Sequence, residues 1–186
     1  MSRIKVIKHE EATGRLKEIY DDLVKKRGKL ADVHKIQSLR PESIVAHMDL
    51  YMEIMFAKSE LSRAEREMMA IVVSAANGCE YCQVHHAQAL NHYWKNDEKI
   101  SRLRTDFEAA DLTNRELVLC SFANLLTVNP EAYRNEKYLA PVKKTGISDN
   151  GILDATLVVS YFNFVNRIVL ALGLEVSDEE MKGYRY

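Results

Sequence analysis

One segment of the chain, Gly78-Cys79-Glu80-Tyr81-Cys82-Gln83-Val84-His85-His86, gathers the residue types that do chemistry. Cys79, Cys82 and His86 stand at i, i+3 and i+7. At about 100° per residue they share one helix face, and Ala89, Leu90 and Tyr93 continue that face as an apolar stripe. A thiol placed there has two sources of activation. The start of a helix stabilises a thiolate at Cys79 or Cys82, and the His86 imidazole, one turn beyond Cys82, can take its proton. His85 points about 100° away from His86 and is the weaker candidate. Two other readings stay open at this point: a pair of small buried hydrophobes, or zinc ligands completed by His85 or His86. Structural zinc usually draws on two separated ligand pairs, and no second Cys or His cluster occurs in the sequence. Cys120 lies in the apolar run Leu117 to Phe122 and reads as inert core. His9, His34, His47 and His92 stand alone and read as solvated or packed side chains.

The elements that must hold this segment read as helices throughout. Leu16, Ile19, Tyr20, Leu23 and Val24 recur at helical spacing, as do Ile44, Met48, Tyr51, Met52 and Met55 after Pro41. Ser62-Arg-Ala-Glu65 and Thr113-Asn-Arg-Glu116 are capping boxes that open a third helix and a more apolar one, Glu116 to Val128. Asn129-Pro130 ends the latter. Ser148 caps a last long helix, and Gly173 closes it at a left-handed position. With no useful strand alternation anywhere, the expected fold is all-α. The expected layout is a single all-helical domain over 1–186, with a core over about 41–175, an N-terminal helical arm over 9–28 and a short tail over 176–186.

A weak internal repeat has an offset of 86 residues. Leu61 to Gly78 aligns with Ile147 to Phe164, pairing Ser62 with Ser148, Val72 with Val158, Val73 with Val159, Ser74 with Ser160 and Asn77 with Asn163. At the same offset Glu67, Cys79, Cys82 and His86 fall opposite Leu153, Val165, Ile168 and Leu172. One half keeps polar chemistry where the other keeps plain apolar residues.

Composition narrows the function. With 26 Lys+Arg against 27 Asp+Glu the formal charge is −1, so there is no basic field for phosphate backbones, and no nucleic-acid partner is expected. Hydrophobic residues at 47% with 28% charged suit a packed domain. The N-terminal residues are charged and lack the apolar stretch of a secretory signal, so a cytoplasmic, reducing setting is expected. Ala155 to Leu174 is mostly apolar, but Asn163, Asn166 and Arg167 sit near its middle; it reads as a core helix, and no membrane span is expected. That helix and Glu116 to Val128 are apolar nearly all round, which points to burial between subunits and to a homo-oligomer, at least a dimer.

Extending the cysteine motif upstream gives Glu67-x11-Cys79-x-x-Cys82-x3-His86. Together with LSRAERE, NGCEYCQVHHAQAL and YFNFVNR (Tyr161 to Arg167), this resembles the alkylhydroperoxidase D family within the carboxymuconolactone decarboxylase superfamily, in its peroxidase-related branch. The resemblance covers roughly Ile44 to Leu174. It implies an all-helical fold of two related halves, homo-oligomers (dimer, trimer or hexamer) and peroxidase activity. It also implies a proton relay of Glu67, His86 and Cys82, with Cys79 as resolving thiol. Hydroperoxide would be the substrate, a dithiol or thioredoxin-like molecule the reductant, and no cofactor or metal is called for. Members closest to alkylhydroperoxidase D carry His where this chain has Tyr81. A phenol with a pKa of about 10 is no base near neutral pH, so Tyr81, like His85, is left an accessory role.

Overall fold

The computed structural model describes residues 2–177, so 178–186, most of the expected tail, lie outside the described residues. Among the described residues there are nine α-helices and no strands: α1 (Gly14–Arg27), α2 (Asp32–Lys35), α3 (Pro41–Phe56), α4 (Arg63–Ala76), α5 (Glu80–Trp94), α6 (Asp97–Thr105), α7 (Asn114–Val128), α8 (Ala140–Lys144) and α9 (Asp149–Leu172). The fold is all-α, as the periodicities require.

Local chemistry sets the helix ends. Ser62 Oγ accepts the Glu65 amide at 3.1 Å while Glu65 Oε2 accepts the Ser62 amide at 2.7 Å. Thr113 and Glu116 repeat the arrangement at α7, and Ser148 caps α9. Gly173 (φ 73°) closes α9. The N-terminal arm begins with a 3-10 turn at His9–Glu11 and continues as α1 from Gly14, with Gly28 as its left-handed C-cap.

Two hydrophobic clusters form. In one, Leu16, Ile19, Tyr20 and Leu23 of α1 pack on Ile44 and Met48 of α3. The larger one is centred on α4, whose residues from Arg66 to Ser74 are all buried, and it joins α5, α7 and α9 around it. Met52 departs from the expected α3 stripe; it is 40% exposed, under the Arg27 guanidinium at 3.5 Å, whereas His47 is buried. Tyr93 likewise ends outside the core at 47% exposure.

α9 is long and apolar enough to cross a membrane by length and composition alone. Here one face, including Ala155, Val158, Val159, Phe162, Val165 and Val169, is packed into the main cluster, each larger side chain contributing about 1.5–3 kcal/mol by leaving water. The opposite face leaves Leu153, Leu157, Phe164 and Leu170 exposed. α4 and α9, the two copies of the repeat, pack together, and their matching asparagines meet. Asn77 Nδ2 donates to Asn163 Oδ1 and Asn166 Oδ1, both at 3.1 Å, and Asn166 Nδ2 donates to Ser74 Oγ at 3.3 Å.

Candidate active site

The end of α4 makes the start of α5. Gly78 takes a left-handed φ of 66°, where a side chain would strain the backbone although space is open around it. The Gly78 amide donates to Ala75 O at 3.0 Å and the Cys79 amide to Ser74 O at 2.8 Å, a Schellman closure. The chain therefore turns at once into α5, with Cys79 as its N-cap and Cys82 in the first turn.

Both thiols are free and buried, with their sulfurs 2.6 Å apart. Hydrogen bonding from Cys82 holds the Cys79 thiol below its ordinary pKa against the opposing effect of burial. The same contact, and then burial, pushes Cys82 far up. Of the two thiols, Cys79 therefore gives up its proton more readily, and loss of the second proton is opposed.

Glu67, on α4, is fully buried, so it is not a solvated helix charge. Its Oε2 accepts from His86 Nδ1 at 2.6 Å, and its Oε1 accepts from Arg63 Nε at 2.8 Å and Nη2 at 2.5 Å. Burial alone would raise this carboxyl, but His86 and Arg63 outweigh it and hold the group below the usual carboxylate range. Since the carboxylate only accepts, neutral His86 carries its proton on Nδ1 and keeps the Nε2 lone pair for use as a base. Phe162 packs edge-on against the ring, centroids 4.4 Å apart, and fixes its plane. His86 makes no direct hydrogen bond to either sulfur among the described residues.

A cavity of about 120 Å³ opens onto this constellation. Cys82, His86, Tyr81 and His85 all line it; Cys79 and Glu67 lie behind the wall. His85 is thus nearer the site than its helix angle implies. Its Nδ1 lies 2.7 Å from the Tyr81 carbonyl, and the two rings lie with centroids 4.2 Å apart and planes tilted by 34°. Tyr51, Phe56, Tyr161 and Phe162 make much of the remaining wall aromatic, with Arg27 and Arg63 at its edge. Cys120 lies elsewhere in the core, its thiol raised by burial.

Sequence reasoning missed His47, Gln37 and Tyr161. His47 Nε2 and Tyr161 Oη meet at 2.7 Å in this wall, and Gln37 Nε2 lies 2.8 Å from His47 Nδ1. Burial lowers the His47 pKa to about 4. No group of three or more His, Cys, Asp or Glu side chains that could hold a metal ion occurs among the described residues.

Residues 41–125 match the carboxymuconolactone decarboxylase family. The chain is 24% identical over 135 residues, 73% of its own length and 90% of the other's, to the uncharacterized protein YdfG of Bacillus subtilis (strain 168). Its fold superposes with a TM-score of 0.86 on the alkylhydroperoxidase AhpD core structure of an uncharacterized peroxidase-related protein from Ralstonia eutropha JMP134, at 24% identity, covering 97% of this chain and 94% of that one. A peroxidase-related protein from Silicibacter sp. TM1040 superposes at 0.83 with 27% identity over 100% of both chains.

Proposed function

We propose that the chain, whose residues 41–125 match the carboxymuconolactone decarboxylase family and whose fold is shared with peroxidase-related proteins of the AhpD type, is a thiol-dependent peroxidase acting on organic hydroperoxides. The observation that carries this reading is a cavity-facing thiol, Cys82, beside an imidazole whose other nitrogen is held by a fully buried carboxylate.

His86 removes one proton from the thiol pair, through a water or the substrate itself, while Glu67 orients the ring and supports its positive charge. The remaining proton is shared across the 2.6 Å sulfur contact. When it sits on Cys79, Cys82 is the thiolate facing the cavity. That thiolate attacks the terminal oxygen of R–O–OH, the O–O bond breaks, and Cys82 becomes a sulfenic acid as RO⁻ leaves and takes the proton from His86. The Cys79 thiol then condenses with the sulfenic acid, releasing water and forming the Cys79–Cys82 disulfide. A dithiol or thioredoxin-like reductant returns the pair to thiols. The aromatic wall favours substrates with an organic group over hydrogen peroxide. The exposed apolar face of α9 supports a homo-oligomer.

The test is a peroxidase assay over several hydroperoxides with a dithiol donor, with the Cys79→Ser/Cys82→Ser protein as blank. Peroxide-dependent turnover absent from the blank supports the reading. Disulfide exchange without peroxide turnover would replace it.

A further inference from the structure

Resting on that peroxide chemistry, we infer that Tyr161 is a further catalytic residue of this cavity: its hydroxyl donates a hydrogen bond to the oxygen that leaves when Cys82 cleaves the O–O bond.

The direction of that hydroxyl follows from a chain of three side chains. Gln37 Nε2 lies 2.8 Å from the Val33 carbonyl and 2.8 Å from His47 Nδ1. A carbonyl only accepts, so the amide atom facing it is the NH2 group; the flipped amide would set two oxygens against each other. The second hydrogen of that NH2 then points at His47 Nδ1, which must hold its lone pair. His47 is buried and neutral, so its one ring proton is on Nε2 and is donated to Tyr161 Oη at 2.7 Å. Tyr161 therefore accepts from His47, its hydrogen-bond partner among the described residues, and its own proton is unspent. The phenol forms part of the wall that also carries Cys82 and His86. Burial pushes its pKa well up, so it stays a donor rather than becoming an anion.

Such a donor fits the step at which charge develops. As sulfur is oxidised and the O–O bond breaks, negative charge gathers on RO⁻. Tyr161 hydrogen-bonds that oxygen and keeps its proton, while the proton that makes ROH comes from His86. One preorganised donor at a developing oxyanion is commonly worth about 10²–10³-fold in rate. His47 and Gln37 are positioning residues that act through Tyr161.

The value of this hydrogen bond depends on the basicity of the leaving oxygen, which separates it from mere packing. Single-turnover oxidation of the reduced protein is followed with cumene hydroperoxide, whose leaving group is an alkoxide, and with peroxybenzoic acid, whose leaving group is a weakly basic carboxylate. Tyr161→Phe should slow the first by about 100-fold and leave the second nearly unchanged. Gln37→Met, which keeps Tyr161 but releases the His47 tautomer, should show the same selectivity at smaller size, and it carries the test if the Phe variant does not fold. Equal slowing with both oxidants, or none, overturns the inference while leaving the peroxidase reading intact. A wild-type protein inert to both oxidants overturns both.

Discussion

From Ser62 the first copy of the repeated pattern runs as α4 and stops at Gly78; from Ser148 the second runs as α9 straight through Phe164, the residue standing in Gly78's place. The two copies share an N-cap serine and an asparagine pair, yet only the interrupted one carries the thiols. Interruption creates what an unbroken helix lacks: a second helix start, with its unpaired amides and positive end, set beside a helix already buried in the core. Polarity is reversed as well. Glu67 is fully buried, whereas its counterpart Leu153 is 56% exposed. The first copy turns a charge inward to hold an imidazole, and the second turns an apolar residue outward.

The sharpest way to break this contrast is to remove the thiols of the first copy. Cys82→Ser should reduce peroxide turnover to background. In Cys79→Ser, peroxide should leave a sulfenic acid on Cys82 that dimedone traps and mass spectrometry locates. Rapid adduct formation on Cys79, with Cys82 inert when alone, would mean that the sulfur that loses its proton more readily is also the attacking one.

The second copy has its own polar link, Tyr161 to His47, and that link should be visible in the acid limb of stability. The folded pKa of His47, about 4, lies below its unfolded value of about 6.5. As pH falls between these values the unfolded chain binds the proton first, so stability is full above about pH 6.5 and falls on the way to about pH 4, by about 3 kcal/mol in total. His47→Asn should flatten this limb in denaturant titrations across that range. An unchanged limb would detach it from His47.

Glu67→Gln should lower peroxidase activity by about 10–100-fold, part of the roughly 10²–10⁴-fold that positioned acid–base catalysis supplies, with helix content and oligomeric mass unchanged. Full activity would remove Glu67 from the relay. At the matching edge of the second copy, Leu153→Glu with Leu157→Glu should spare the thiol chemistry and lower the mass seen by light scattering at micromolar concentration. A monomeric wild type would sink the assembly proposal. The smallest effect lies in what the copies share: Ser62→Ala and Ser148→Ala should each cost about 1 kcal/mol in thermal or denaturant unfolding.

Much of this was legible because it is local. Ser62 with Glu65 and Thr113 with Glu116 mark helix starts within four residues, and helix spacing alone set Cys79, Cys82 and His86 on one side of α5. Glu67 was reached only through a resemblance, since nothing in its own helix distinguishes it from a solvated glutamate. Tyr93 has the right angular position, but the last turn of α5, where His92 is exposed too, lies at the edge of the core. The chain from Gln37 through His47 to Tyr161 spans three elements, and its last link joins residues 114 positions apart. No periodicity records a contact of that range, and a single histidine on an apolar stripe carries no mark of its partner.

The asparagine cluster between α4 and α9 bears on how the chain finds this arrangement. A sequence that holds one helix pattern twice contains its own competitor, because either apolar face can slide along the other by a turn and still cover itself. Asn77, Asn163 and Asn166 permit one alignment. A slip would strand amides in an apolar seam at about 1–3 kcal/mol for each unsatisfied group, so the cluster works as a latch that tells the two helices where to stop.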